Sequence, residues 1–147
     1  MKVCPDCQAV FNGRKWNGTC QVSESNLANA ERSLCTGCKR MRDKVAFGTV
    51  YLNGEVIASR SGEIMRMIRR EEEIEQGYNH CSRILTIDRR GEKMTVRTVN
   101  SLLAIHIAKQ LRKAYKGRIE IFKDSPGHRP RNKQSEGTVA VKWIQSP

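Results

Sequence analysis

Two short cysteine motifs constrain the fold of this chain more than any other feature of its sequence. CPDC occupies residues 4–7 and CTGC residues 35–38, and in each motif two residues separate the cysteines. Such a pair can place both sulfurs on one Zn²⁺ ion through a tight turn, and two pairs complete a tetrahedron of thiolates. Proline in the first turn and glycine in the second suit this backbone geometry. The spacing predicts a zinc ribbon whose ligands are Cys4, Cys7, Cys35 and Cys38.

The cysteine pairs also have interpretations other than structural zinc. A thioredoxin-type redox pair follows a strand within an α/β domain, and too few residues precede Cys4 for that strand. A catalytic zinc keeps one open position and uses histidine or carboxylate ligands, whereas four thiolates fill the tetrahedron. An iron–sulfur cluster or another metal uses similar ligands and stays open as an alternative. The prediction is one Zn²⁺ ion that supports folding.

Two further cysteines and one histidine are left out of the predicted site. Cys20 has no neighbour at ligand spacing, so we expect a buried thiol within a hairpin. Two Asn-Gly turn signals in VFNGRKWNGTCQV, residues 10–22, indicate that hairpin. His80 and Cys81 are adjacent, and adjacent side chains of one strand point to opposite faces of a sheet. Neither is expected to bind the ion.

The composition is that of a small protein with a thin core. The chain has 147 residues, 38% of them hydrophobic and 5% aromatic, and its mean hydropathy of −0.60 leaves no run long enough for a membrane span. The N-terminal residues do not resemble a secretory signal, so a cytoplasmic location is expected. Thiols stay reduced in that compartment, which favours metal binding over disulfides.

The positive charge is concentrated in the C-terminal half. Of the net charge of +12, residues 81–147 carry +10, whereas residues 1–60 carry +4 and residues 61–80 carry −2. A local basic excess is typical of proteins that contact phosphates. An acidic membrane surface would attract the same charge, but no amphipathic basic helix with bulky aromatic anchors accompanies it. Nucleic acid is therefore the expected partner, and no small-molecule substrate is indicated.

The order of predicted elements indicates the α+β class. GTVYLNGEVI predicts a strand and turn, and SGEIMRMIRREEEIEQG predicts a helix that Ser61 caps and Gly77 ends. The remaining chain reads strand, strand, helix, strand, strand, with Gly117 ending the second helix. This order predicts a small ββαββ domain whose sheet is covered by helices on one face. The expected divisions are a zinc ribbon at 1–45, a strand-turn and linking helix at 46–80, and the basic domain at 81–147.

Several conspicuous residues are assigned structural roles. The glutamates of RREEE, residues 69–73, can pair with arginines at offsets of three and four residues, and they are expected to form a solvated surface rather than a catalytic carboxylate pair. His106 has no carboxylate or ligand near it in sequence, so we expect a packed or boundary histidine. Trp16 and Trp143 lie in strand-like patterns and are expected to fill cores rather than to stack on bases.

Ten lysines and arginines are the candidate nucleic-acid contacts. They come from the hairpin turn near residue 90, one flank of the second helix and the loop at 123–137. Each group alone is typical of solvated surface, but their concentration in one segment indicates a phosphate-binding role. The residues are Arg89, Arg90, Lys109, Arg112, Lys113, Lys116, Lys123, Arg129, Arg131 and Lys133.

The motifs also resemble those of known proteins. CPDC, the tryptophan after a basic turn, CTGCKRMRDK and the terminal unit LRKAYKGRIEIF…TVAVKWI resemble a group of short bacterial zinc-ribbon proteins of unassigned function. The cysteine pairs followed by a basic turn are also similar to the amino-terminal part of the archaeal and eukaryotic adaptor for large ribosomal subunit export, named for nonsense-mediated decay. That adaptor has further cysteine pairs that this chain lacks. The resemblance implies attachment to ribosomal RNA or ribosomal proteins.

These observations predict a non-catalytic zinc-binding protein that docks on structured RNA, at the ribosome or an assembly intermediate. In this interpretation the ribbon supplies a rigid recognition surface, and the basic domain contacts phosphates. The alternative is a zinc-ribbon protein that binds DNA or associates with a transcription complex. An enzyme is disfavoured because no phosphate-cradling glycine loop, His-rich hydrolytic cluster or nucleophile–base pair is recognisable.

Overall fold

The computed structural model describes residues 1–17, 29–124 and 137–147, and it confirms the α+β class. In these ranges the strands are β1 (Lys2–Val3), β2 (Val10–Phe11), β3 (Trp16–Asn17), β4 (Glu31–Arg32), β5 (Gly48–Asn53), β6 (Ile84–Arg90), β7 (Lys93–Thr98), β8 (Gly117–Asp124) and β9 (Thr138–Gln145). The helices are α1 (Thr36–Asp43), α2 (Glu55–Ser59), α3 (Ser61–Tyr78) and α4 (Ser101–Ala114). Four residues named in the predictions, Cys20, Arg129, Arg131 and Lys133, lie outside the described ranges.

The N-terminal sheet is small and is built around the predicted hairpin. Its strand order is β3-β2-β1-β4, with β4 parallel to β1 and the other neighbours antiparallel. Asn12 makes the turn between β2 and β3, because its Oδ1 accepts hydrogen bonds from the backbone N–H groups of Arg14 and Lys15 at 2.9 and 3.1 Å. Trp16 packs on Phe11, with ring centroids 5.3 Å apart, and lies against the cysteine cluster, as expected for a core residue.

The second sheet contains the four predicted strands and a fifth at its centre. The order is β6-β7-β5-β9-β8, in which β5 is antiparallel to β7 and parallel to β9. The sequence pattern identified β5 as a strand but placed it in the linking segment at 46–80. Its parallel partner lies at 139–144, and a pairing over that separation leaves no mark in the local sequence. The sheet therefore joins residues on both sides of the predicted boundary at 80.

Helices α2, α3 and α4 form one layer over one face of this sheet. Helix α4 contacts β5, β7, β8 and β9, α2 contacts β7, and α3 packs against both other helices. Trp143 on β9 is fully buried in the resulting core, as predicted. A Cβ atom on Gly48, the first residue of β5, would overlap the side chains of Thr98 and Ala104. Within the described ranges, the helices are too short or too polar to cross a bilayer.

Three helix boundaries differ from the sequence prediction. Ser61 is the first residue of α3 rather than its cap, because the short helix α2 leads directly into it and Arg60 stands at the cap position. Helix α3 continues one residue past Gly77. Gly117 begins β8 instead of ending α4, and a Cβ atom there would lie 2.7 Å from Cε2 of the Trp143 indole. Position 117 requires glycine because the Trp143 indole lies too close for a side chain.

Candidate functional site

The two cysteine motifs bring their four sulfurs together at one point. The Sγ atoms of Cys4, Cys7, Cys35 and Cys38 all lie within 4.8 Å of one another. The Cys7 and Cys35 sulfurs are 3.6 Å apart. A Zn²⁺ ion bound at about 2.3 Å to each of four sulfurs would separate them by about 3.8 Å, so the cluster has the dimensions of a tetrahedral thiolate site. The residues present can therefore hold a metal ion.

The backbone around each pair explains how the sulfurs converge. In the first motif the N–H of Cys4 donates to the carbonyl of Ala9 at 2.8 Å, and the N–H of Gln8 donates to the carbonyl of Cys4 at 3.0 Å. Gln8 adopts the left-handed region, with φ 66°, which closes the turn. In the second motif Cys35 caps α1, and its sulfur accepts the N–H of Cys38 at 3.3 Å. These hydrogen bonds direct the two sulfurs of each motif toward the same point.

The four thiols of the cluster differ in pKa: one ionises easily and three do not. Burial would raise the pKa of Cys4, but backbone N–H groups, including those of Cys35 and Cys7, donate to its sulfur and lower the pKa to about 6. Burial raises the pKa of Cys38 to about 12 and also raises that of Cys7. The pKa of Cys35 is raised mainly by its hydrogen bond with the Cys81 side chain and then by burial. Three of the four thiols are therefore protonated at neutral pH, and binding of a metal ion by all four would displace their protons.

An arginine from the second part of the chain completes the surroundings of the cysteines. Arg83, just before β6, donates from one guanidinium nitrogen to the Cys38 sulfur at 2.9 Å and from the other to the Cys35 sulfur at 3.7 Å. Burial alone would lower the pKa of Arg83, but these thiol contacts hold it above its usual range. Sequence spacing did not identify this residue, because it lies 45 positions after Cys38 and reaches it only through tertiary packing.

The turn before Arg83 also touches the cluster. His80 Nε2 lies 3.3 Å from the Cys7 sulfur, and the Cys81 side chain is hydrogen-bonded with that of Cys35. The two residues lie in a turn, not in a strand, so the argument that separated their side chains does not apply. Gly37 permits this approach, since a Cβ atom there would be 3.0 Å from Cys81 Cα. They border the cysteine cluster, while the four sulfurs of the two motifs form the group at ligand spacing.

The predicted basic residues are distributed over two sides of the sheet. Four are exposed on α4 or in the turn after it, on the helical side: Lys109, Arg112, Lys113 and Lys116. Arg90 pairs with Lys93 on the opposite side, whereas Arg89 pairs with buried Met94 and so shares the helical side. Lys123 is exposed near the end of β8.

The side of the sheet opposite the helices carries exposed aromatic rings. Tyr51 on β5 and Phe122 on β8 are 44% and 49% exposed. Lys142 is the β9 neighbour of Tyr51, and its ammonium nitrogen lies 5.4 Å from the centroid of the Phe122 ring. Sequence analysis missed both rings because the faces that β5 and β8 turn to the helices were unknown. The alternation in β5, with Val50 and Leu52 buried on either side of Tyr51, was the available signal.

The same side has an excess of positive charge. Lys93 and Arg97 on β7 are exposed and share the side of Tyr51 by register. Among the residues whose side chains are described, the acidic ones on this side are Asp88 and Glu120, and each lies near an arginine of its own strand, at 3.4 Å from Arg90 and 3.8 Å from Arg118. Glu120 is also the cross-strand partner of Lys142. We call this surface the open face. Its exposed rings, and its cations without an ion pair in the described ranges, are Tyr51, Lys93, Arg97, Phe122 and Lys142.

Glu71 of α3 is buried, contrary to the solvated surface expected for residues 69–73, and Glu75 on the same helix is buried as well. Glu71 and Glu75 are 7% and 5% exposed, because the packing of α3 against α4 turns that flank of the helix inward. Nδ1 of His106 on α4 is hydrogen-bonded with the carboxylate of Glu75. The histidine is at the boundary of the core as expected, but its carboxylate partner comes from another helix and was not visible in the sequence.

Comparison with known proteins gives no family assignment. The chain matches no protein-family model, and no curated protein matches it significantly.

Proposed function

We propose that this chain is a non-catalytic Zn²⁺ protein that docks on RNA, with the ribosome or a ribosome assembly intermediate as its target. The observation that carries the proposal is the open face, where two exposed aromatic rings stand among lysines and arginines. Proteins that bind single-stranded segments of RNA commonly use this combination on a sheet. The metal centre has a structural part in this proposal.

Each class of side chain on the open face matches one part of a nucleotide. The rings of Tyr51 and Phe122 are exposed and can stack on unpaired bases, a contact that tolerates any base sequence. Lys93, Arg97 and Lys142 have no ion pair with an acidic residue in the described ranges, so their charge is available to phosphates. This charge complementarity favours a nucleic-acid occupant over an apolar protein surface.

Zinc supports this role by fixing the ribbon to the rest of the molecule. The cysteine cluster is the core of the N-terminal sheet, and Arg83 and His80 join it to the segment that leads into β6. A tetrahedron filled by four thiolates leaves no position for a reacting water molecule. The ribbon and the α+β unit would then present their surfaces to RNA in a fixed relation.

Stacking is tested by fluorescence anisotropy with a labelled single-stranded RNA. Because base–aromatic stacking contributes about 1–3 kcal/mol per base, Tyr51→Ala and Phe122→Ala should each weaken binding about 5- to 150-fold. Tyr78→Ala is the matched control, since Tyr78 is 81% exposed at the end of α3. This variant should bind the RNA with the affinity of the parent protein. Equal affinities for all three variants would refute the role of the open face.

Charge variants distinguish the open face from the basic helix predicted from sequence. Lys142→Gln and Arg97→Gln should weaken binding and reduce its salt dependence by about one counterion each. Lys109→Gln and Arg112→Gln make the same charge change on α4 and should have smaller effects. If only the α4 variants weaken binding, the helical surface is the RNA site and the open face is not.

The target is tested with the native protein in cell lysate. It should co-sediment with ribosomal particles and dissociate as salt is raised, and crosslinked RNA should be ribosomal in sequence. Tyr51→Ala should reduce both signals. Exclusive recovery with chromosomal DNA or RNA polymerase would instead support the DNA-side alternative.

A further inference from the structure

A second group of potential metal ligands lies between α3 and α4. Glu71 and Glu75 are four residues apart on one flank of α3, and His106 faces them from α4. One ligand atom from each of the three residues lies within 4.8 Å of the others. Glu71 and Glu75 are each more than nine-tenths buried as residues. The cysteine centre lies elsewhere, and its described contacts include none of these three side chains.

Glu71 is the one residue of this group that has no hydrogen-bond or ion-pair partner in the described part of the chain. In the described part of the chain, Glu75 has His106 as its partner, whereas Glu71 has no hydrogen bond or ion pair at bonding distance. Burial raises the pKa of Glu71, and the nearby Glu75 carboxylate adds to the shift; the positive charges of His106 and Lys113 act in the opposite direction. A buried carboxylate beside a second carboxylate is costly unless a cation compensates it.

We propose that Glu71, Glu75 and His106 bind one divalent first-row transition-metal ion. Two carboxylate oxygens and one imidazole nitrogen form a donor set that suits ions such as Zn²⁺, Fe²⁺ or Co²⁺, and unlike the cysteine centre it contains no sulfur. The ion would replace the missing partner of Glu71 and would cross-link the two helices of the covering layer.

This ion would be exchangeable, unlike the one held by the cysteines. Three protein ligands leave at least one coordination position for water. Glu71 also lines an open groove between the helices, together with Arg66, Arg70 and Gln110, so solvent can reach the site. The guanidinium groups in the groove lower the affinity for a cation by repulsion and favour an anionic fourth ligand. The site does not depend on the proposed RNA role.

Cobalt is a suitable probe because its absorption reports its ligands. Full-length protein is first loaded with one equivalent of Zn²⁺ to fill the cysteine centre and is then titrated with Co²⁺. We expect one saturable Co²⁺ site per chain with weak d–d bands and no sulfur-to-cobalt charge transfer. Glu71→Gln and His106→Gln should each weaken this binding by about tenfold or more, since each removes one of three ligands. Glu73→Gln is the matched control, because it makes the same charge change at an exposed position on the same helix.

The outcomes decide between a metal site and a simple ion pair. No saturable d–d signal, or a signal accompanied by sulfur charge transfer, would overturn the proposal, because the protein would then bind cobalt only at the cysteines or not at all. Equal binding by the Glu71→Gln and Glu73→Gln variants would overturn it as well. Circular dichroism of each variant before cobalt is added tests folding; if Glu71→Gln fails to fold, His106→Gln provides the same comparison.

Discussion

Replacing Arg83 tests whether the second part of the chain contributes to the metal centre. A Zn²⁺ ion with four thiolates has a net charge of −2, and a largely buried site of that charge needs compensation from nearby donors. The guanidinium group of Arg83 supplies a positive charge and donates to the Cys38 sulfur at 2.9 Å. Arg83→Met keeps most of the apolar length of the side chain but removes both the charge and the donors.

The loss of zinc affinity expected for Arg83→Met follows from the contacts of Arg83 with the Cys38 and Cys35 sulfurs. The bond to Cys38 at 2.9 Å is short and the contact with Cys35 at 3.7 Å is long, so we count one hydrogen bond to a charged group. Such a bond contributes about 1.5–3 kcal/mol, which corresponds to about a 10- to 150-fold loss of zinc affinity. Loss of a residue that supports metal ligands commonly lowers metal affinity by about 10- to 100-fold, and this range overlaps the loss expected here.

Zinc affinity is measured by competition with a chromophoric chelator at fixed pH and ionic strength. Arg112→Met is the control, because Arg112 is exposed on α4 and the variant makes the same change in charge and side-chain length. Arg83→Lys should lie between the parent and Arg83→Met, since it keeps the charge but not the planar pair of donors. If Arg83→Met and Arg112→Met bind zinc equally, the guanidinium does not stabilise the centre and the reasoning is wrong.

Three further predictions concern the cysteine cluster and the sheet. At pH 7 zinc binding should release about three protons, because the thiols of Cys7, Cys35 and Cys38 have raised pKa values and the pKa of Cys4 is lowered to about 6. The apparent zinc affinity should therefore fall by about 1000-fold for each pH unit below neutrality. A pH indicator measures the released protons, and the same chelator measures the affinity. Cys81→Ser should retain one zinc per chain by elemental analysis, whereas Cys38→Ser should lose it; loss of zinc from both would make Cys81 a ligand. Gly48→Ala should lower the free energy of unfolding by about 1–3 kcal/mol in urea, because its Cβ atom would overlap Thr98 and Ala104, and an unchanged midpoint would show that the sheet can adjust.

The cysteine cluster could be predicted because its determinants are local. Two residues between paired cysteines fix each turn, and the capping role of Cys35 follows from the helix that starts directly after it. The surroundings of the cluster could not be predicted in the same way. Arg83 and His80 reach the sulfurs only when the ribbon packs against the second sheet, and their identity as contacts depends on that packing rather than on spacing.

Burial was the other property that the sequence did not reveal. The run of charges in α3 has the composition of a solvated helix, yet Glu71 and Glu75 lie on the flank that α4 covers. In the same way, Tyr51 could be assigned to the core or to the surface until its strand had neighbours on both sides. The period of a pattern identifies an element, but the element that covers it decides which face is buried.

The parallel pairing of β5 with β9 has a consequence for the order of events during synthesis. The four cysteines of the cluster lie at residues 4–38, so the cluster could bind a metal ion while translation continues. The large sheet has to wait, because β5 remains an unpaired edge beside β7 until residues 138–145 have emerged and inserted between β5 and β8. Pairing between strands so far apart in sequence forms slowly, and until β9 pairs with it the exposed edge of β5 can aggregate with other chains.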